Sequence, residues 1–105
     1  MAAGVRKEVG VIYFVSAREV GRVKIGYTTG RVVSRLAALR TASPVHLEVM
    51  GVLEGGRLVE REWHEKWRKY HWRLEWFTLA EELEMCILAA VHGYDVARDV
   101  MRVRR

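Results

Sequence analysis

Residues 10–27 form the stretch GVIYFVSAREVGRVKIGY, whose two apolar segments decide the fold class. Residues 10–16 are mostly β-branched and aromatic, which is typical of a buried strand. Residues 22–27 alternate polar and apolar side chains, as a strand with one buried face does. Because only a short turn separates the two segments, they are predicted to pair as a hairpin.

The rest of the chain is predicted to add one strand and several helices. The third strand is 45–53, which follows Ser43-Pro44 because a proline disfavours helical backbone in the residue before it. Residues 71–77 are short and aromatic and are predicted to be a loop or a short strand. Helices are predicted over residues 31–41, 57–70 and 94–103. A further helix is predicted to begin at a cap on Thr78, with Glu81 completing the capping box, and to end at Gly93. A three-stranded sheet with helices packed on it belongs to the α+β class.

Both C-terminal helices are predicted to carry an apolar stripe. The stripe of the third helix is Leu79, Leu83, Ile87 and Ala90. The stripe of the last helix is Val96, Val100 and Val103. Such spacing is typical of a helix that packs on a core.

Composition favours one globular domain. The chain has 105 residues, of which 50% are hydrophobic and 30% charged, and this suffices for one core. No apolar run approaches the roughly 18 residues that span a bilayer. Residues 1–10 lack the apolar core of a secretory signal, so the cytoplasm is the expected compartment. Cys86 is the single cysteine of the sequence, which excludes an internal disulfide and a cysteine-rich zinc site.

The charge distribution is uneven. The net charge is +5. Residues 1–53 carry eight basic and three acidic side chains, residues 54–92 six and eight, and residues 93–105 four and two. A basic front half and a basic tail favour an anionic polymer such as nucleic acid as partner. The alternative is that the charge only keeps a small protein soluble.

Five short motifs follow one another in an order that resembles the GIY-YIG nuclease superfamily. They are IYFV, VKIGYTTG, RLAAL followed by SP, VEREWH and EWFTL. Within the superfamily the chain is most similar to the T5orf172 (Mug113-like) branch. The resemblance covers about residues 10–83 of a single domain and leaves 84–105 as a C-terminal helical extension. It implies a β-β-α-β-α core and hydrolysis of phosphodiester bonds in DNA with a divalent metal ion.

The resemblance also implies a set of site residues. Tyr13 ends the first motif, and Lys24 stands at the tyrosine position of the second motif. Arg35 matches the arginine of the first helix, and Glu60 matches the metal-binding glutamate of the second. His64 matches a histidine typical of the branch.

The closing motif of the branch is Glu75-Trp76-Phe77. Three features depart from the superfamily pattern. Lys24 replaces a tyrosine, and Leu39 lies where many of these enzymes carry a polar or ring side chain. The C-terminal asparagine of the superfamily has no clear counterpart.

Phosphodiester hydrolysis requires an activated water, charge stabilisation at phosphorus and help for the leaving oxygen. Mg²⁺ or Mn²⁺ can stabilise the developing charge, and it keeps several waters, so the single carboxylate of Glu60 suffices to hold it. The Arg35 guanidinium can contact the phosphate oxygens in a forked geometry. Tyr13 is the candidate general base, directly or through water, although an unperturbed tyrosine has a pKa of about 10.

Lys24 and His64 complete the predicted site. Lys24 is predicted to take over part of the missing tyrosine's task, by lowering the pKa of Tyr13 or by contacting phosphate. His64 follows Glu60 by four residues and shares its helix face. It is a candidate proton donor, water ligand or phosphate contact.

Structural roles compete with each functional assignment. Tyr13 can be a core residue, Glu60 and His64 a solvated pair, and Glu75 a helix cap or a partner of Arg73. The tryptophans are expected to be core or, beside Arg68, Lys69 and Arg73, a base-stacking surface; they are Trp63, Trp67, Trp72 and Trp76. The tail arginines are a solvated helix end or a clamp on a nucleic-acid backbone; they are Arg98, Arg102, Arg104 and Arg105.

Three functions are compatible with the sequence. The first is a metal-dependent DNA endonuclease of low sequence specificity, because phosphate contacts carry no sequence directly. The second is a nucleic-acid-binding module without catalysis. The third is a protein-interaction domain, for example a phage accessory protein, that uses residues 71–77 as its contact surface. The order of the motifs favours the first.

Overall fold

A computed structural model describes residues 10–101 of the chain. Its elements are β1 (Val11–Ala17), β2 (Arg22–Thr28), α1 (Val32–Ala42), β3 (Glu48–Glu54), α2 (Arg57–Lys66), β4 (His71–Arg73), β5 (Trp76–Thr78), α3 (Glu81–Ala90) and α4 (Val96–Met101). Among the described residues, no helix is long and apolar enough to cross a membrane.

The strands form one antiparallel sheet in the order β3-β1-β2-β5-β4. The α+β class is therefore confirmed, whereas the predicted three-stranded sheet is wrong because the sheet has five strands. The additional two come from residues 71–78, where β4 and β5 form a hairpin that extends the sheet beyond β2. Strands of three residues are too short to show a periodic pattern, so they are identified by the pairing of β5 with β2 and of β4 with β5.

β1 is the central strand, since all its residues are buried and it pairs with both β2 and β3. The predicted hairpin of β1 and β2 is confirmed. Alternate β1 residues enter two cores on opposite faces of the sheet. The core on one face includes residues of α1, and the other includes residues of α3 and Trp67 at the end of α2.

The bounds of α2 and α3 differ most clearly from those predicted, whereas α1 is shifted by one residue and α4 begins at Val96. α2 ends at Lys66, and a 3-10 turn follows it at Arg68–Tyr70. α3 begins at Glu81 without a side-chain cap, so the predicted capping box at Thr78 is wrong. Thr78 instead pairs with Arg22 in the sheet.

The end of α3 is set by a contact that lies outside the helix itself. The helix ends at Ala90 rather than at Gly93. The reason is that His92 exchanges two backbone hydrogen bonds of 2.8 and 3.1 Å with Val52 in β3. These bonds require extended backbone after Val91, because a helical residue directs its amide along the helix axis.

The apolar stripe of α3 is confirmed, since Leu83 and Ile87 are fully buried. The apolar stripe of α4 is wrong for the part described: Val96 and Val100 are exposed, whereas Asp99 is fully buried. Val103, the third residue of that stripe, lies outside the described residues.

Asp99 faces inward because it caps the start of α1. Its Oδ1 accepts the Val32 amide at 2.5 Å, and its Oδ2 accepts the Val33 amide at 2.9 Å and the Tyr94 hydroxyl at 3.0 Å. Arg31, the residue at the N-cap position, offers no side-chain cap. A carboxylate here satisfies free amides and stabilises the positive end of the helix dipole. α4 thereby fixes the position of α1.

Replacing Asp99 with alanine is expected to lower the free energy of unfolding by roughly 1–3 kcal/mol, because buried amides of α1 lose their acceptor. Urea unfolding followed by circular dichroism measures the change. Glu62→Ala, at an exposed position of α2, is the control and is expected to change stability by less than about 0.5 kcal/mol. Equal stability of the Asp99→Ala and Glu62→Ala proteins would contradict the capping role.

Candidate active site

A cleft of about 580 Å³ opens between the sheet, α1 and α2. It is lined by Tyr13 of β1, Lys24 of β2, Arg35 of α1 and Glu60 of α2. Four of the five predicted site residues are therefore brought together from four separate elements. The fifth, His64, does not line this cleft but lines a neighbouring depression that shares Glu60 with it.

Tyr13 is held in place by a glycine on the neighbouring strand. It lies opposite Gly26 in the β1–β2 register. A Cβ atom at Gly26 would lie 2.7 Å from Cε1 and 2.5 Å from Oη of the Tyr13 ring. The ring thus occupies the space that any other side chain at position 26 would need. The glycine of the VKIGY motif is required for this close approach of ring to backbone.

The Tyr13 phenol is harder to ionise than a free tyrosine. Burial raises its pKa to about 12, and the charge of Glu75 adds to this effect, whereas Arg35 acts in the opposite direction. The pKa of Tyr13 is therefore raised, and Lys24 is not among the groups that shift it. The physical reason is that the Lys24 ammonium is bonded to the Glu75 carboxylate at 2.9 Å. Tyr13 is protonated at neutral pH.

Glu75 enters the site from the tight turn between β4 and β5. The turn residue Leu74 has a φ of 52°, and the Ile25 amide donates to the Glu75 carbonyl at 3.0 Å. Burial acts to raise the pKa of Glu75, but the hydrogen bond and charge of Lys24 outweigh it and leave the pKa lowered. The carboxylate of Glu75 thus pairs with Lys24, and not with Arg73, which was one of the alternatives considered for it.

Glu60 is the least stabilised carboxyl group of the cleft. Burial raises its pKa to about 7, and the hydrogen bond and charge of Glu75 add to this, whereas Arg57 and Lys24 act against it. Its Oε2 is buried and has no hydrogen-bond partner among the described residues. A buried carboxylate oxygen of this kind is a suitable ligand for a hard divalent cation.

Any such cation would rely on few protein ligands. Residues 10–101 contain no group of three or more His, Cys, Asp or Glu side chains that could hold a metal ion. Mg²⁺ commonly binds through one or two carboxylates and retains several waters, so Glu60 with Glu75 nearby fits this ion.

Two arginines give the cleft its positive charge. The Arg35 Nε lies 3.4 Å from the Thr28 hydroxyl, which also accepts the Gly30 amide at 2.9 Å. The Arg57 guanidinium lies 5.3 Å from the centre of the Tyr27 ring. Within the described part of the chain, neither arginine forms an ion pair. A guanidinium without an anionic partner is suited to bind a phosphate.

Some residues that line the cleft were missed in the sequence: Tyr27, Thr28 and Arg57. Arg57 precedes Glu60 by three residues, and this helical spacing was a signal that could have found it. Tyr27 directly follows the KIG motif, but strand alternation places its side chain in the core of the opposite face rather than beside Lys24. Tyr27 nevertheless lines the cleft, and it lies one residue before the end of β2 at Thr28.

The family model of the T5orf172 domain matches residues 10–102, which is nearly the whole chain. The chain belongs to the T5orf172 domain family. The resemblance drawn from the five motifs is thereby confirmed. No curated protein and no solved structure is significantly similar to the chain.

In this T5orf172 domain His64 makes a positioning contact. Its Nε2 lies 2.9 Å from the Ile25 carbonyl oxygen, which can only accept, so Nε2 carries the proton and donates it. The same nitrogen is 3.9 Å from Oε2 of Glu60, and the ring packs edge-on against Phe77. His64 therefore joins α2 to β2, and this contact fixes the helix face that carries Glu60.

The tryptophans of the T5orf172 domain differ in burial. Trp63 packs edge-on against Phe14 with ring centres 4.9 Å apart, and Trp67 is buried. Their assignment to the core is confirmed. Trp76 is partly buried against the α1-side core, whereas Trp72 is exposed.

Gly26→Ala is expected to displace the Tyr13 ring and to lower the free energy of unfolding by about 1–3 kcal/mol, as overpacking does. Thermal or urea unfolding measures the loss. Gly93→Ala is the matched control, because a Cβ at Gly93 meets nothing within 4 Å. In a Tyr13→Ala background the Gly26→Ala substitution is expected to cost much less. An equal cost in both backgrounds would contradict the contact.

Glu60→Gln is expected to stabilise the metal-free protein at alkaline pH. The pKa of Glu60 is raised to about 7, so its favourable contribution is present below the unfolded pKa of about 4.5 and is lost as pH rises through 7. The variant should gain roughly 1–3 kcal/mol at about pH 8 and nothing at about pH 4. Urea unfolding with a chelator present measures this.

The exposed Glu62→Gln substitution is the control for this pH dependence. It should shift the free energy of unfolding by less than about 0.5 kcal/mol at either pH. If the free energy of unfolding of Glu60→Gln equalled that of the unmodified protein from about pH 4 to about pH 8, Glu60 would ionise as freely as an exposed carboxyl group, and the prediction would be contradicted.

Proposed function

We propose that this T5orf172 domain is a metal-dependent endonuclease of the GIY-YIG type, which hydrolyses phosphodiester bonds in DNA with low sequence specificity. The observation that carries the proposal is the convergence of different functional groups on one cleft: a phenol, two unpaired guanidinium groups and two adjacent carboxyl groups. They come from elements far apart in the chain, and each has a chemical use at a phosphodiester.

Arg35 and Arg57 bind the phosphate in this proposal. Their guanidinium groups keep their charge at any working pH, and forked hydrogen bonds orient the phosphate oxygens. Because the arginines contact the backbone and not base edges, this mode of binding selects no sequence. Low specificity therefore follows from the groups that line the cleft.

Glu60 would hold the divalent cation, Mg²⁺ or Mn²⁺, with Glu75 beside it. When bound there, the cation supplies the positive charge that stabilises the phosphorane-like transition state and favours the Tyr13 phenolate. Glu60 must lose its proton to act as a ligand, and its pKa of about 7 makes this step pH-dependent near neutrality.

In its phenolate form Tyr13 would take the proton of the attacking water at Oη, directly or through a second water, and become the neutral phenol. Its position is fixed because the ring rests on Gly26. Arg35 already acts to lower the pKa of this phenol, and neutralising the charges of Glu60 and Glu75 removes the two groups that act against it. Lys24 holds Glu75 in place and remains a candidate phosphate contact.

A nucleic-acid-binding module without catalysis is the second candidate. The observation in its favour is the Lys24–Glu75 ion pair, which occupies the position where the superfamily carries its second tyrosine. Leu39 also presents an apolar side chain to the cleft. Such a module binds DNA in a salt-sensitive manner and needs no metal.

A cleavage assay distinguishes these candidates. Supercoiled plasmid, single-stranded DNA and RNA are incubated with Mg²⁺ or Mn²⁺ and with chelator. We expect nicking of DNA that chelator abolishes and that Tyr13→Phe reduces by about 10²–10⁴-fold, the range for loss of a general base. Glu60→Gln should abolish it, and the exposed Glu62→Gln should leave it unchanged. Cut sites should map to many plasmid sequences.

Retention of DNA at low salt without cleavage of any substrate would contradict the nuclease and favour the binding module. Cleavage that persists in Glu60→Gln at the full rate would contradict the assignment of the metal ligand. A single cut site on the plasmid would contradict the low specificity.

A further inference from the structure

We propose that Trp72, with Arg22, forms a stacking platform for a base of single-stranded DNA whose backbone enters the cleft. The inference rests on the proposed function and deepens it, because it names the form of DNA that the site takes. The platform consists of the Trp72 indole, the Arg22 guanidinium packed on it and Arg73 beside it.

The platform lies on the same face of the sheet as the cleft. Arg22 and Lys24 alternate with core residues of β2, and Lys24 pairs with Trp76 on β5. Trp72 on β4 points to this face too, since the Arg22 guanidinium lies 4.3 Å from its ring centre. A row of side chains therefore crosses the sheet from the cleft to the platform.

Trp72 differs from the core tryptophans in its exposure and its surroundings. It is 51% exposed and lies on an edge strand. The Arg73 guanidinium lies 5.9 Å from its ring centre. Nucleobases stack on indole rings and on guanidinium planes, and every base has such a face.

Arg22 provides an independent argument for an anionic ligand. Its Nε is buried without a hydrogen-bond partner, and neither Arg22 nor Arg73 forms an ion pair within the described part of the chain. A buried donor that lacks a partner requires an explanation. A phosphate next to the stacked base would supply the negative charge that the Arg22 guanidinium lacks.

The distance from cleft to platform fits a short length of one strand. Three strand intervals separate β1 from β4 in the sheet, which is about 14 Å at 4.8 Å each. Tyr13 is paired with Gly26, and Arg22 lies four residues from Gly26 on β2, which adds about 14 Å along the strands. The diagonal is about 20 Å, or roughly six nucleotides at 3.4 Å per stacked nucleotide, and fewer if the strand is stretched. Between them the Lys24 ammonium lies 5.9 Å from the Trp76 ring and continues the positive charge.

A duplex cannot use this platform without being opened, because its bases are stacked inside the helix. The platform therefore predicts a preference for single strands or for the unpaired part of branched DNA. Duplex DNA would be held by its phosphates alone.

Fluorescence anisotropy with a labelled mixed-sequence single strand and its duplex, in chelator, tests the proposal. Trp72→Ala should weaken single-strand binding by about 5- to 150-fold, the range of one lost stacking contact. It should leave duplex affinity within about twofold. Trp72→Phe should retain most of the single-strand affinity. Met85→Ala, an exposed apolar position on α3, is the control and should change neither.

Arg22→Gln should reduce the slope of log affinity against log salt for the single strand by about one. Unchanged single-strand affinity in Trp72→Ala would overturn the proposal. So would an equal loss for single strand and duplex, because that outcome indicates charge or folding and not stacking.

Photocrosslinking of the unmodified protein to a strand that carries 5-iododeoxyuridine gives a measurement that needs no variant. A crosslink in the tryptic peptide of residues 70–73 supports the platform, and crosslinks confined to other peptides overturn it.

The outcomes also separate this inference from the nuclease itself. Plasmid nicking with single-strand binding that is independent of Trp72 overturns the platform and keeps the nuclease. Trp72-dependent binding of single strands without cleavage keeps the platform and overturns the nuclease. A protein that retains no DNA at low salt overturns both and points to a protein partner.

Discussion

The rest of the structure depends on the complete burial of β1, which is paired on both edges and covered on both faces. A strand in this position cannot move, so a side chain on it has a fixed location. Tyr13 uses that rigidity, and Gly26 on β2 leaves the space for its ring. The helices and the β4–β5 hairpin bring the charged groups to the phenol. The position of β1 therefore determines where these groups must lie to form the cleft.

The charged groups of the cleft lower the stability of the unliganded protein, but they suit the proposed hydrolysis of a phosphodiester. Two carboxyl groups lie together, and their pKa values move apart: that of Glu75 is lowered by Lys24, and that of Glu60 is raised to about 7. Groups shifted in this way are common at functional sites. The buried Oε2 of Glu60 and the unpaired arginines are stabilised less than they would be in a structural ion-pair network.

The last helix contributes through one charge and not through its apolar residues. Asp99 is buried against the first turn of α1. The Val32 amide that it accepts lies 67 residues before it in the chain. Since Arg35 follows Val32 by three residues, this cap holds the turn of α1 that carries the guanidinium. Val96 and Val100 are exposed, so the side chain that α4 buries is the Asp99 carboxylate.

The sequence by itself determined the β1–β2 hairpin, the α+β class, the family and the group of Tyr13, Lys24, Arg35 and Glu60. The hairpin and the class were predictable because strand alternation is a local property of the chain. The family and the site residues were implied by the resemblance that the order of the motifs shows. The tertiary structure alone decided the β4–β5 extension, the Asp99 cap, the Lys24–Glu75 pair and the exposure of Trp72. Each of these depends on a partner distant in the chain, and no local pattern of residues specifies which distant groups will meet.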